Sequence, residues 1–216
     1  MSNLEFVEQP KNYAMDLVGS RKNVYSQHGE DGIIGALLGL IGVTGEGWCC
    51  EFGAWDGKHL SNTFNLIKNR GWKGVLIEAD EVKYEDLLKT QEEHKENIVA
   101  IRETVHYIEE EGKTLDNILG ETDIPYDFDV LSVDVDGPDY HIWKSFVNYE
   151  PKIVIIEHSG MKGDIIQREG AVHKVDVDGS TSFAPLKRLG EEKGYILTVD
   201  TGNLIFLHSK YKEIIS

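Results

Sequence analysis

Five short runs that are apolar almost throughout constrain this chain more than anything else in it. WCCEF (48–52), GVLI (74–77), IVAI (98–101), VLSVDV (130–135) and KIVII (152–156) each suit a strand. A strand with one wet face alternates apolar and polar residues, so an uninterrupted apolar run must be buried on both faces. Between the runs the apolar period changes to that of a helix. Ile33, Ile34, Leu37, Leu38 and Ile41 share one face of a helix predicted over 31–41. Further helices are predicted over 60–69, 80–95, 114–119, 140–147 and 185–193, with Thr114 as an N-cap and Gly71 ending the second. Two last strands, 195–199 and 203–207, flank Asp200-Thr201-Gly202 and read as a hairpin. Alternating strands and helices of this kind predict a Rossmann-like α/β domain: a mostly parallel sheet covered on both faces, with the closing hairpin antiparallel at one edge.

At 216 residues the chain suits one domain, and its net charge of −16 narrows the partners. Nucleic acid and anionic membranes are repelled by such a field, so neither is expected as a partner. Cys49 and Cys50 are the two cysteines, adjacent in a strand. Their side chains face opposite ways, so the expectation is two buried thiols in a reducing compartment. With no apolar run of membrane-spanning length and no basic-then-apolar leader, a cytoplasmic protein is expected.

In a doubly wound sheet the ligand lies beyond the C-terminal strand ends, so polar residues there are the candidates. The first strand runs into EFGAWDG (51–57), where Gly53 allows close backbone approach and Gly57 a sharp turn. The spacing departs from the dinucleotide G-x-G-x-x-G, and Glu51 and Asp56 put negative charge where a pyrophosphate would lie. Such a loop suits a ligand with a positive centre. Glu78, closing the second strand in IEAD with Ala79, stands where a carboxylate accepts ribose hydroxyls. Adenosine joined to a cation points to S-adenosylmethionine.

Together YSQHGEDGII (25–34), EFGAWDGKHLSNT, GWKGVLIEAD, LSVDVDGPDYHIW and VIIEHS resemble the FkbM-type class I S-adenosylmethionine-dependent methyltransferases. The resemblance implies a seven-stranded sheet of order 3-2-1-4-5-7-6 and methyl transfer, usually to a hydroxyl of a sugar or other natural product. It implies Glu51, Gly53 and Gly57 as the glycine motif, Glu78 as the ribose carboxylate, and Asp134 beside the methionine end of the cofactor. His106 is expected near the adenine.

Asp134, Asp136, Glu157 and His158 gather at two neighbouring strand ends. Carboxylates with one imidazole suit Mg²⁺ or Mn²⁺, which would acidify the acceptor hydroxyl. The other reading keeps Asp134 and Glu157 for orienting ligands and makes His158 the general base, with His141 behind it. Gly160, Gly163, Gly170 and Gly179 punctuate a polar stretch over 160–181 that reads as a lid over the acceptor. In YSQHGEDGII, Glu30 or Asp31 can cap the following helix. Gln27, supported by Ser26, is expected to reach the cofactor carboxylate or the acceptor. The expected organisation is a segment over 1–30 covering the active site and a methyltransferase domain over 31–216, acting on a small-molecule or glycan acceptor. Two other classes share the sheet: an NAD-dependent oxidoreductase or epimerase, which EFGAWDG disfavours, and a catalytically silent cofactor-binding subunit.

Overall fold

The computed structural model describes residues 17–135, 137–166 and 181–215. Seven strands form one sheet: β1 (Trp48–Phe52), β2 (Lys73–Glu78), β3 (Ile98–Arg102), β4 (Val130–Val133), β5 (Ile153–Glu157), β6 (Tyr195–Asp200) and β7 (Asn203–His208). Their order is 3-2-1-4-5-7-6, as the resemblance implies. β1 to β5 pair in parallel, and β7 lies antiparallel between β5 and β6.

The apolar runs are explained by two cores, one on each face. Cys50, Phe52, Val75, Ile77, Leu131, Val133, Val154 and Ile156 face one way. They meet α4 (Leu115–Leu119), α5 (Asp139–Ser145) and α6 (Phe183–Glu192), which contribute Leu115, Trp143 and Leu186. Cys49, Leu76, Val130, Ile153 and Ile155 face the other way, against α1 (Glu30–Leu40), α2 (Phe64–Arg70) and α3 (Glu81–Glu93). Successive residues of one strand thus serve opposite cores, and each large side chain buried in this way contributes roughly 1.5–3 kcal/mol. Both cysteines are buried free thiols.

The second helix begins later than its apolar spacing predicts. Leu60 takes a left-handed φ of 56°, and the residues after it are drawn to Glu51 instead of into the helix. The start of α1 also differs from expectation, because neither Glu30 nor Asp31 caps it. Asp31 Oδ2 accepts the amides of Val24, Tyr25 and Ser26, each at 2.8 Å, and so folds the preceding segment back on the helix. The first-turn amide of Asp31 donates to Ser26 Oγ at 3.1 Å. Glu30, fully buried, accepts from the His28 amide, from Thr201 Oγ1 and from Asn203 Nδ2. One carboxylate therefore ties the segment before α1 to the β6–β7 turn.

Candidate active site

A cleft of about 710 Å³ opens at the C-terminal ends of β1 to β5. Its floor is built by EFGAWDG. Gly53 has φ 74°, and a Cβ there would lie 1.8 Å from the Asp134 carbonyl oxygen, so the loop after β1 touches the loop after β4 backbone to backbone. Glu51 lies just beneath. It accepts from Ser61 Oγ (2.5 Å), Thr63 Oγ1 (2.8 Å) and the Asn62 amide (2.9 Å). Burial pushes its pKa up, an effect those donors reduce without cancelling. The role visible for Glu51 is to hold the loop over 61–63 against the sheet.

Glu78 closes β2 and lines the cleft. Its Oε2 accepts the Trp55 amide and its Oε1 the Asp80 amide, both at 2.8 Å. A carboxylate has about four acceptor positions, so capacity remains on both oxygens for two hydroxyl donors. Asp80 caps α3 by accepting from the Val82 and Lys83 amides. Ala79 lines the cleft beside it, followed by Glu103, Thr104 and Val105 after β3.

The loop after β4 is shaped by a residue that the sequence reading passed over. Asp139, buried at the start of α5, accepts the Val135 and Gly137 amides, each at 2.9 Å. Asp134, just before this turn, lines the cleft, and Glu157, from the parallel neighbour β5, lines it too. Among the described residues six carboxylates line the cleft (Glu51, Glu78, Asp80, Glu103, Asp134 and Glu157) against one lysine, Lys83, a lining that favours a cation.

The family profile described as Methyltransferase FkbM domain matches residues 88–197, half of the chain. The chain belongs to the FkbM methyltransferase family. Two solved structures share its fold. One is a proposed sarcosine dimethylglycine methyltransferase from Galdieria sulphuraria, 11% identical with a TM-score of 0.51 over 78% of this chain and 62% of that one. The other is the CurJ carbon methyltransferase, 8% identical with a TM-score of 0.51 over 82% of this chain and 51% of that one. This chain thus spans less than two thirds of either. No curated protein sequence is significantly similar to it.

With the family comes the cofactor, S-adenosylmethionine, and the cleft of this FkbM methyltransferase fits it. The open acceptor positions of Glu78 suit ribose hydroxyls, the acidic lining suits a sulfonium, and the bare backbone at Gly53 admits close approach. Gln27, Glu51, Gly53, Glu78, Ala79 and Asp134 all line the cleft. Asp56 does not. Its Oδ1 turns back to accept the Lys58 and His59 amides, at 2.9 and 2.7 Å, and so shapes the turn. Gly57 also stands aside. A Cβ there would meet Leu87 and Leu76 at 2.8 and 2.9 Å, so its absence serves packing against α3.

None of the three expected histidines lines the cleft. His158 Nδ1 accepts the Gly160 amide at 3.2 Å, which leaves Nε2 as the protonated nitrogen facing Asp200 Oδ1 at 3.1 Å. Both ring nitrogens are engaged and the ring does not line the cleft, so it is placed neither as base nor as ligand. Burial alone would raise the Asp200 pKa, but the bonds from His158 and the Gly202 amide outweigh it and hold the carboxyl below its usual range. His141 is buried in α5 and stacked on Tyr107 at 5.0 Å, away from the cleft. His106 bridges to Thr114, and the cleft is lined instead by the three residues just before it, Glu103, Thr104 and Val105. Among the described residues no group of three or more His, Cys, Asp or Glu is placed to hold a metal ion. Asp136 and most of the expected lid (167–180) lie outside the described residues.

Trp55, Leu60 and Lys83 also line the cleft, and the sequence reading named none of them. Trp55 and Leu60 are the two non-glycine residues with positive φ among the described residues, 48° and 56°. Such conformations cost on the order of 1–3 kcal/mol each and persist only where surrounding contacts impose them. Here the contacts are the Glu78 bond to the Trp55 amide, the Asp56 turn, and Thr90 Oγ1 donating to the Asp56 carbonyl at 2.6 Å.

Proposed function

We propose that this FkbM methyltransferase transfers the methyl group of S-adenosylmethionine to a hydroxyl oxygen of a sugar, glycan or related small molecule in the cytoplasm. The observation that carries the reading is the pair Asp134 and Glu157, carboxylates at adjacent strand ends on one cleft. The cofactor supplies a methyl carbon activated by its sulfonium; everything else falls to the chain. Glu78 takes the ribose hydroxyls and fixes the methyl group in place. Asp134 accepts a hydrogen bond from the acceptor hydroxyl, aligns its oxygen with the methyl carbon, and takes the proton as the carbon–oxygen bond forms and the carbon–sulfur bond breaks, its electron pair going to sulfur to leave neutral S-adenosylhomocysteine. Holding the two reactants in line supplies up to roughly 7–11 kcal/mol in ideal cases. Glu157 orients a second hydroxyl of a polyhydroxylated acceptor. The excess of carboxylates repels phosphorylated acceptors, which favours neutral ones. Since the His158 that would complete a metal centre faces Asp200, no step is assigned to a divalent ion.

The test is the bond that carries the transferred carbon. With methyl-labelled cofactor and a panel of unphosphorylated sugars and glycans, the expected product shows a methoxy signal by NMR. Label appearing on nitrogen or carbon alone would refute the assignment. Gln27, exposed on the segment before α1 and lining the cleft, is read as a donor to the cofactor carboxylate or the acceptor. Gln27→Ala is expected to raise one KM by about 3- to 10-fold, the worth of one hydrogen bond, without changing Tm. Unchanged KM values for both substrates would reduce the segment to a brace between α1 and the hairpin.

A further inference from the structure

Trp55 is 44% exposed and Leu60 46% exposed, both at the mouth of the cleft. Folding alone does not reward holding two large apolar side chains toward water from strained backbone. The indole is nevertheless held firmly. Lys83 Nζ lies 4.7 Å from its centroid, and the His59 ring packs edge-on at 5.3 Å. Its own amide donates to Glu78, so the ring is rooted one hydrogen bond from the proposed ribose carboxylate.

We infer that Trp55 is a cofactor-binding residue whose ring covers the adenosine half of S-adenosylmethionine, and that its strained backbone is kept for this contact. The inference rests on reading the cleft as the cofactor site. A ligand seated on Glu78 must pass beside the indole and cover its exposed face, while Lys83 and His59 keep the ring from swinging away. A glycine would adopt φ 48° without strain and would present nothing to the ligand. The side chain therefore opposes the stability of its own loop.

This opposition makes the inference testable apart from turnover. Trp55→Gly is expected to raise Tm while weakening S-adenosylhomocysteine binding about tenfold by calorimetry, and Trp55→Phe to keep most of the affinity. Trp72 and Trp143 are buried and Trp48 is half-buried, so Trp55 should dominate acrylamide quenching of tryptophan fluorescence. Saturating S-adenosylhomocysteine should lower that quenching to the level of Trp55→Phe, and candidate acceptor sugars should not. If the ligand binds but Trp55 stays equally accessible, or Trp55→Gly binds as tightly as the parent, the inference is overturned. If S-adenosylhomocysteine fails to bind the unaltered protein, the cofactor reading falls with it.

Discussion

Glu78→Gln is expected to weaken S-adenosylhomocysteine binding by about 100-fold or more while leaving a folded protein. Hydrogen bonds to a charged acceptor contribute roughly 1.5–3 kcal/mol each, and two ribose hydroxyls are assigned to this carboxylate. Glutamine keeps the shape, but one of its two ends becomes a donor. That end must face either the Trp55 amide or the Asp80 amide, both of which now donate to Glu78 at 2.8 Å. Whichever loses its acceptor, the Trp55 loop or the start of α3 is loosened as well as the ribose site. Calorimetry gives the affinity and thermal melting the loosening. Glu78→Asp makes the sharper control: it restores the charge but shortens the reach, so affinity should recover only in part. Binding within threefold of the parent for Glu78→Gln would remove Glu78 from the cofactor site and reopen the assignment of every residue oriented by it.

The fold was legible because its cause is local. Strand by strand, IVII and GVLI have no polar face to turn to water, and only a sheet covered on both sides accommodates them. That Glu78 and Asp134 line the cleft was legible for a related reason, since strand ends are readable and the cleft lies beyond them. The errors all involve partners distant in sequence. The helix predicted from residue 60 is shortened because Glu51, ten residues earlier, takes the Ser61 and Thr63 hydroxyls and the Asn62 amide. His158 is drawn from the cleft by Asp200, 42 residues later, which the β6–β7 turn brings alongside β5. Trp55 was passed over because a bulky residue in the left-handed region contradicts its own local preference, and only tertiary contacts impose it. YSQHGEDGII combines both cases. Its concentration of polar residues is visible at once, but its two acids serve amides behind them and a hairpin about 170 residues ahead rather than the helix they begin.

Gly53→Ala is expected to be the most damaging single methyl that can be added to this site. The new Cβ would stand 1.8 Å from the Asp134 carbonyl oxygen, a backbone atom with no flexible end to yield, and φ 74° adds left-handed strain of roughly 1–2 kcal/mol. The ends of β1 and β4 must spread, and β1 pairs with β4 right up to Phe52 and Val133. A loss of about 3–5 kcal/mol follows, or a Tm lowered by on the order of 10 °C. Asp134 moves with its carbonyl, and a shift of about 1 Å in a positioning group costs ~100-fold in rate. Gly57→Ala separates the two effects. Its φ is also positive, 75°, but its Cβ would meet the Leu87 and Leu76 methyl groups, which can give way. It should lower Tm by a few degrees and leave turnover of the surviving enzyme within about threefold, since Gly57 does not line the cleft. Equal losses of kcat/KM in the two variants would mean that the contact between Gly53 and Asp134 has no special part in placing the acceptor, and Asp134 would lose its assignment as the group that receives the proton.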